Sequence, residues 1–193
     1  MSIRKGMHGE QTKILLGMFL AMWAVFAFTS VTGGALLWLG VMPRTLLGIR
    51  VVLFAPFLHG SMTHIVSNSL PFLFLGWIVI LRDPRHFLPV TVIAMIGSGM
   101  LAWLFGAPGS VHIGASGVIF GYLGFLMLSG WFARSFGSIA LSVLVIVLWG
   151  GMVVGAIPGT TGVSWQAHLG GLIAGIYAAR YYRTSRLRGM SPA

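Results

Sequence analysis

The chain has 193 residues, of which 57% are hydrophobic and only 7% are charged, and its mean hydropathy is +0.94. Soluble domains average about 25% charged residues, so this composition excludes a soluble globular protein and indicates an integral membrane protein. The net charge of +10 does not indicate nucleic-acid binding, because the basic residues lie at the ends of apolar segments and form no single patch. The chain contains no cysteine, which excludes disulfides and thiolate metal sites.

Six apolar segments are long enough to cross a bilayer, which takes about 20 helical residues. They cover approximately residues 14–39, 62–81, 87–105, 113–130, 138–157 and 165–182. The breaks between them are too short to hold a second domain. We therefore predict an all-α membrane protein with a single domain at residues 1–193. Its bundle of six transmembrane helices forms a core over about residues 14–182, between short cytoplasmic tails.

The distribution of basic residues predicts the orientation of these spans. With the N-terminus in the cytoplasm, ten of the twelve Lys and Arg residues fall on the cytoplasmic side, and only Arg44 and Arg50 fall outside. Cytoplasmic loops of membrane proteins carry such an excess of positive charge. The predicted topology is N-in and C-in.

This topology brings three polar clusters to the outer ends of the even-numbered spans. His59, His64 and Asn68 open the second span, Ser116 opens the fourth, and His168 opens the sixth. Polar side chains are costly within a membrane and usually have a function there. The clusters are expected to converge if these three helices touch.

The sequence also provides a reason for the fourth and sixth spans to touch. Gly117 and Gly121 form a small-xxx-small pair on the fourth span, and Gly171 and Gly175 form another on the sixth. Glycines at this spacing allow two helix backbones to approach closely in lipid. Taken alone, each pair is equally consistent with helix packing that serves no chemistry.

A serine and a histidine in one site indicate nucleophilic catalysis, since imidazole is the usual base that activates a serine hydroxyl. The only acidic residues, Glu10 and Asp83, map to the cytoplasmic side. A Ser-His-Asp triad is therefore excluded, and serine catalysis would require a dyad. The same count excludes an aspartyl protease, and no His-Glu-x-x-His zinc motif is present.

Acyl transfer also requires hydrogen-bond donors for the developing oxyanion. His64 and Asn68 lie four residues apart and share one helical face, and the backbone N–H of Ser116 is a further candidate. Four hydroxyl side chains make the outer end of the second span polar: Ser61, Thr63, Ser67 and Ser69. We interpret them as part of a cavity that admits water.

Three motifs in this chain resemble those of the rhomboid family of intramembrane serine proteases. Residues 59–68, His-Gly-Ser-Met-Thr-His-Ile-Val-Ser-Asn, are similar to the family's His-x4-His-x3-Asn signature. Residues 114–117, Gly-Ala-Ser-Gly, resemble its nucleophile motif, and residues 167–171, Ala-His-Leu-Gly-Gly, resemble its base-bearing motif. The motifs occur in the family's order and on the expected helices.

The resemblance implies that Ser116 is the nucleophile and that His168 is the general base and then the general acid. It implies that His64 and Asn68 stabilise the oxyanion. His59 would be structural, holding its loop against the second helix. Gly117 and Gly171 accompany the dyad, and Phe120 occupies a position where some members have tyrosine, from which it would stack on the imidazole.

The resemblance further implies that the substrates are transmembrane segments of other proteins and that no cofactor or metal is used. The expected location is a bacterial inner membrane, with lipid as the surrounding partner. Two alternatives remain open, a small transporter or channel lined by the polar residues and a rhomboid-like binding protein that has lost catalysis. His112, next to the nucleophile motif, is interpreted only as lining the mouth of the cavity.

Overall fold

The computed structural model describes residues 2–159 and 162–187. Within these ranges the chain is helical and forms no strand beyond an isolated bridge between Val41 and His112. The α-helices of the described residues are α1 (Ser2–Val31), α2 (Leu46–Arg50), α3 (Met62–Arg82), α4 (Pro84–Phe105), α5 (Ser116–Ala133), α6 (Phe136–Trp149) and α7 (Trp165–Leu187). The predicted all-α bundle is confirmed.

Five of the described helical segments are long and apolar enough to cross a membrane. They overlap the first five predicted spans and lie in α1, α3, α4, α5 and the segment Phe136–Ala156. The sixth predicted span lies in α7, which is less apolar because Gln166, His168 and Arg180 interrupt it. The number of spans and the N-in orientation stay predictions, and Arg188 of the predicted cytoplasmic tail lies outside the described residues.

Two predicted spans differ from the observed helices. The first was expected to continue to Leu39, but α1 ends at Val31, because Gly33 and Gly34 adopt positive φ values of 64° and 94°. The fifth was expected as one α-helix, but α6 ends at Trp149 and the chain continues as a 3-10 helix over Gly150–Ala156.

The junction between α3 and α4 is fixed by a single buried carboxylate. Asp83 is 1% exposed, and its Oδ1 accepts a hydrogen bond from the backbone N–H of Arg85 at 3.2 Å. The Arg85 guanidinium donates to the two carboxylate oxygens at 3.0 and 2.8 Å. Burial alone would raise the pKa of Asp83, yet the hydrogen bonds from Arg85 hold it at about 2. One of the two acidic residues is therefore committed to helix capping and to an ion pair.

Helices α4, α5 and α7 pack together through backbone contacts that only small residues permit. A Cβ atom at Gly171 would collide with the carbonyl oxygen of Gly117, and one at Gly175 would collide with that of Gly121. A Cβ at Gly117 would also collide with the Ser98 hydroxyl of α4. The glycine faces identified in the sequence thus bring α5 and α7 into direct contact.

Candidate active site

The close contact between α5 and α7 brings the serine and the histidine of the sequence motifs together. Ser116 is the first residue of α5, and His168 lies in the first turn of α7. The Oγ atom of Ser116 lies 2.8 Å from Nε2 of His168, although the residues are 52 positions apart. This distance is that of a direct hydrogen bond.

The second ring nitrogen of His168 determines which atom carries the proton. Its Nδ1 lies 2.8 Å from the carbonyl oxygen of Gly155, and a carbonyl can only accept. The Nδ1–H therefore donates to Gly155, which leaves Nε2 of the neutral ring as the acceptor for the Ser116 hydroxyl. The imidazole is 7% exposed, and it stacks on the ring of Phe120 with centroids 4.2 Å apart and an interplanar angle of 9°.

The segment that holds the imidazole in place is the 3-10 helix after α6. Gly155 belongs to this segment, and a Cβ atom there would lie 3.2 Å from Nδ1 of His168 and 3.3 Å from the Phe120 ring. The position therefore favours glycine, whose backbone can approach the imidazole. Sequence reasoning did not identify Gly155, because a backbone carbonyl leaves no side-chain signal in the sequence.

A second polar cluster connects α3 to the residue before the serine. Nδ2 of Asn68 donates to Nε2 of His59 at 3.0 Å, and the backbone N–H of Ala115 approaches the same nitrogen at 3.5 Å. His59 is 1% exposed and Asn68 is 6% exposed. Burial, with the nearby ring of His64, lowers the pKa of His59 to about 4, which is consistent with a neutral acceptor. His59 thus joins its loop to α3 and to the start of α5.

The neutrality of His59 predicts a pH-dependent stability. The unfolded chain binds a proton at this residue near pH 6.5, whereas the folded chain does so only near pH 4. Proton uptake favours the unfolded state in that interval, so we expect the thermal denaturation midpoint in detergent to fall as the pH decreases from about 6.5 to about 4. His59→Gln, which keeps an acceptor for Asn68 but does not titrate, should show a smaller pH dependence. An equal slope in both proteins would contradict this assignment.

His64 lies beside the loop that carries the serine motif. Its backbone N–H donates to the hydroxyl of Ser61, which caps α3. Gly114 has a φ of 108°, and a Cβ atom there would lie 2.6 Å from Nε2 of His64 and 3.4 Å from Nδ2 of Asn68. Gly114 is therefore required both for its backbone conformation and for the space that His64 occupies.

These side chains open onto one cavity of about 660 Å³. It is lined on its polar side by Ser116, His168, His64, Asn68, His112, Ser61, Ser67 and Ser164. The predicted polar cavity is therefore present, and His112 lines it as expected. Ser69 does not belong to it, since its hydroxyl accepts from Nε1 of Trp23 at 3.1 Å and faces α1. Thr63 is likewise not among the lining residues.

The fold and the site together define a class of protein, a helical membrane bundle that holds a serine–histidine pair at the end of a polar cavity. Comparison with known proteins gives the family. Residues 47–185 match the Rhomboid domain, and the chain belongs to the rhomboid family. The sequence-based identification of the family and of a rhomboid-like helical membrane bundle is confirmed, and the chain is an integral multi-pass membrane protein.

Relatives of this chain occur in bacteria and in plants. An uncharacterized protein of Mycobacterium tuberculosis is 40% identical over 148 residues, which are 72% of this chain and 62% of the relative. An uncharacterized protein of Mycobacterium leprae is 41% identical over 134 residues, 65% of this chain and 53% of the relative. RHOMBOID-like protein 1 of Arabidopsis thaliana is 31% identical over 126 residues, 61% of this chain and 30% of the relative. The chain thus spans less than two thirds of these relatives, and the mycobacterial matches fit a bacterial source.

Proposed function

We propose that this protein is an intramembrane serine endopeptidase that cleaves transmembrane segments of other membrane proteins. The observation that carries the proposal is the 2.8 Å contact between Ser116 Oγ and His168 Nε2, with Nδ1 of the same ring held by Gly155. Membership in the rhomboid family supports the same class of activity. The catalytic roles of the individual residues are part of the proposal.

In the acylation step, Ser116 Oγ attacks the carbonyl carbon of the scissile peptide bond while its proton passes to Nε2 of His168. The imidazolium that forms donates through Nδ1 to the Gly155 carbonyl, which takes the orienting role that a carboxylate has in a triad. His168 then returns the proton from Nε2 to the departing amine, and the C–N bond breaks. An acyl-enzyme on Ser116 remains.

In the deacylation step, water from the polar cavity attacks the ester carbonyl and gives its proton to Nε2 of His168. The imidazolium returns that proton to Oγ of Ser116 as the ester bond breaks. The new carboxyl end of the substrate is released and the free serine is restored. The water arrives from the same cavity that His64, Asn68 and Ser61 line.

We assign stabilisation of the oxyanion to Asn68 and His64, together with the backbone N–H of Ser116. The amide of Asn68 has two N–H donors, one of which is engaged by His59 at 3.0 Å, so a second remains for the substrate. The N–H of Ser116 is at the first position of α5, where backbone amides have no acceptor within the helix.

Asn68→Ala is expected to lower kcat by about 10²–10³-fold while KM changes little, because an oxyanion donor acts mainly in the transition state. The measurement is steady-state cleavage of a model transmembrane substrate in detergent. Asn68→Asp, isosteric but without the N–H donors, should show a loss of similar size. Both substitutions also remove the bond to His59, so both are compared with His59→Ala, which removes that bond and keeps the Asn68 donors. Recovery of wild-type kcat in Asn68→Asp would contradict the assignment.

The transporter alternative would require a polar path through the bundle. A second cavity of about 470 Å³, lined by Arg82, Asp83, His86 and Arg134 among others, lies toward the opposite end of the helices. Between the two cavities the core contains large buried side chains: Phe72, Ile119, Tyr122 and Leu123. A closed hydrophobic core favours an enzyme with a cavity open at one end over a pore.

The test is incubation of the purified protein with two fusion substrates that differ in one segment. One carries a transmembrane segment with helix-destabilising Gly and small residues, and the other carries an uninterrupted poly-Leu segment. We expect cleavage within the first segment, observed as two fragments whose new termini are identified by mass spectrometry. Absence of cleavage, together with substrate binding, would favour the inactive binding protein and overturn the proposal.

A further inference from the structure

We infer that His112 is a positioning residue for the proposed dyad, which it serves by fixing the helix cap from which His168 extends. His112 belongs to the loop between α4 and α5, four residues before Ser116. Its ring bridges two serines, with Nε2 2.9 Å from Ser110 Oγ and Nδ1 2.6 Å from Ser164 Oγ. This inference rests on the proposed function.

The direction of each hydrogen bond between His112 and its two serine partners follows from the other bond that Ser110 makes. The Ser110 hydroxyl donates its one hydrogen to the carbonyl of Ala107 at 2.7 Å, so its oxygen accepts from Nε2–H of His112. The neutral ring then presents a lone pair at Nδ1, and the Ser164 hydroxyl donates to it. Burial lowers the pKa of His112, which agrees with a neutral ring.

Ser164 connects His112 to the first turn of α7. Its Oγ accepts from the backbone N–H of Ala167 at 3.3 Å, as an N-cap does, and its carbonyl accepts from the N–H of His168 at 3.0 Å. With its own hydrogen directed at His112, the Ser164 oxygen keeps its lone pairs toward Ala167. The orientation of the cap, and with it the start of α7, therefore depends on His112.

The His112 loop is itself anchored to the bundle. Val41 and His112 exchange two backbone hydrogen bonds of 2.9 Å, and Arg44 donates to the carbonyls of Leu104 and Gly106 at 3.1 and 3.0 Å. His112 thus connects the fixed loop that leads to Ser116 with the helix that carries His168. The 2.8 Å distance of the dyad depends on the relative position of these two elements.

The test compares the rates at which a fluorophosphonate reagent acylates Ser116 in the detergent-solubilised full chain. His112→Phe and Ser164→Ala are each expected to lower this rate about tenfold, roughly the effect of one lost hydrogen bond on a barrier. The double variant should be no slower than the slower single variant, because both remove the same link.

His112→Asn, whose Oδ1 can replace Nδ1 as acceptor, should recover most of the rate. Ser138→Ala, in the first turn of α6 and away from this network, should change it less than about twofold.

Thermal denaturation of each variant separates a local effect from a folding defect, and the Asn variant keeps the test valid if the Phe variant does not fold. Labelling of His112→Phe at the wild-type rate, multiplied losses in the double variant, or no recovery in His112→Asn would overturn the inference.

If the wild type itself is not labelled, the proposed function fails, and ¹H–¹⁵N spectra of the His168 ring decide on His112 independently. We expect the Nδ1–H tautomer of His168 in the wild type and in Ser138→Ala, and an altered ring spectrum in His112→Phe. An identical His168 spectrum in all three proteins would overturn the inference.

Discussion

Ser116→Ala is expected to abolish cleavage of a model transmembrane substrate, with kcat reduced by at least about 10⁴-fold, while the fold is retained. Ser116 lies at the first position of α5, and its Oγ contacts only the imidazole of His168 among the described hydrogen bonds. Removing the hydroxyl leaves the acceptor Nε2 of His168 without its donor, but His168 lines the polar cavity, from which water can donate to this nitrogen. The measurement is cleavage in detergent with the denaturation midpoint recorded in parallel.

The matched control for this substitution is Ser138→Ala in the first turn of α6, next to the cavity at the opposite end of the bundle. It removes a hydroxyl of the same size and should leave cleavage unchanged. Cleavage by Ser116→Ala at even one tenth of the wild-type rate would refute the role of Ser116 as nucleophile.

His168→Ala is expected to cause a loss of similar size, because the serine then has no base within hydrogen-bond distance. The two residues act as a unit, so Ser116→Ala combined with His168→Ala should be no less active than either single variant. Cleavage is again measured in detergent, with His8→Ala near the start of α1 as the control. A double variant whose loss equals the product of the single losses would show that the residues act separately.

A second substitution of His168 distinguishes proton transfer from hydrogen bonding. In His168→Gln the amide nitrogen can donate to the Gly155 carbonyl as Nδ1 does, but the side chain is not a base at neutral pH. We therefore expect His168→Gln to fold as the wild type does and to remain inactive. Activity in this variant would indicate that His168 acts through hydrogen bonding and not through proton transfer.

Much of the site could be predicted from the sequence because each part leaves a local signal. Ser116 and His168 each lie in a Gly-rich motif at one end of an apolar segment, and the charge distribution places these ends on one side. The glycines Gly117 and Gly171 predicted the contact between the two helices, and their backbones do meet. Hydrophobic length and small-residue spacing are strong signals because the bilayer permits few alternatives.

The parts that were not predicted depend on tertiary packing or on the backbone. The carbonyl of Gly155 became an acceptor for His168 only because α6 gives way to a 3-10 helix after Trp149, which hydrophobicity does not encode. Ser69 was assigned to the cavity, but the rotation of α3 directs it to Trp23. The bridge from His112 to Ser164 joins residues 52 positions apart and has no periodic signature.

The most direct measurement is the intact mass of the purified protein after treatment with a fluorophosphonate, followed by peptide mapping. We predict one adduct, located on Ser116, and none in His168→Ala, since phosphonylation requires a serine activated by its base. An adduct on another residue, or none on a preparation that cleaves a transmembrane substrate, would contradict the assignment of Ser116 as nucleophile.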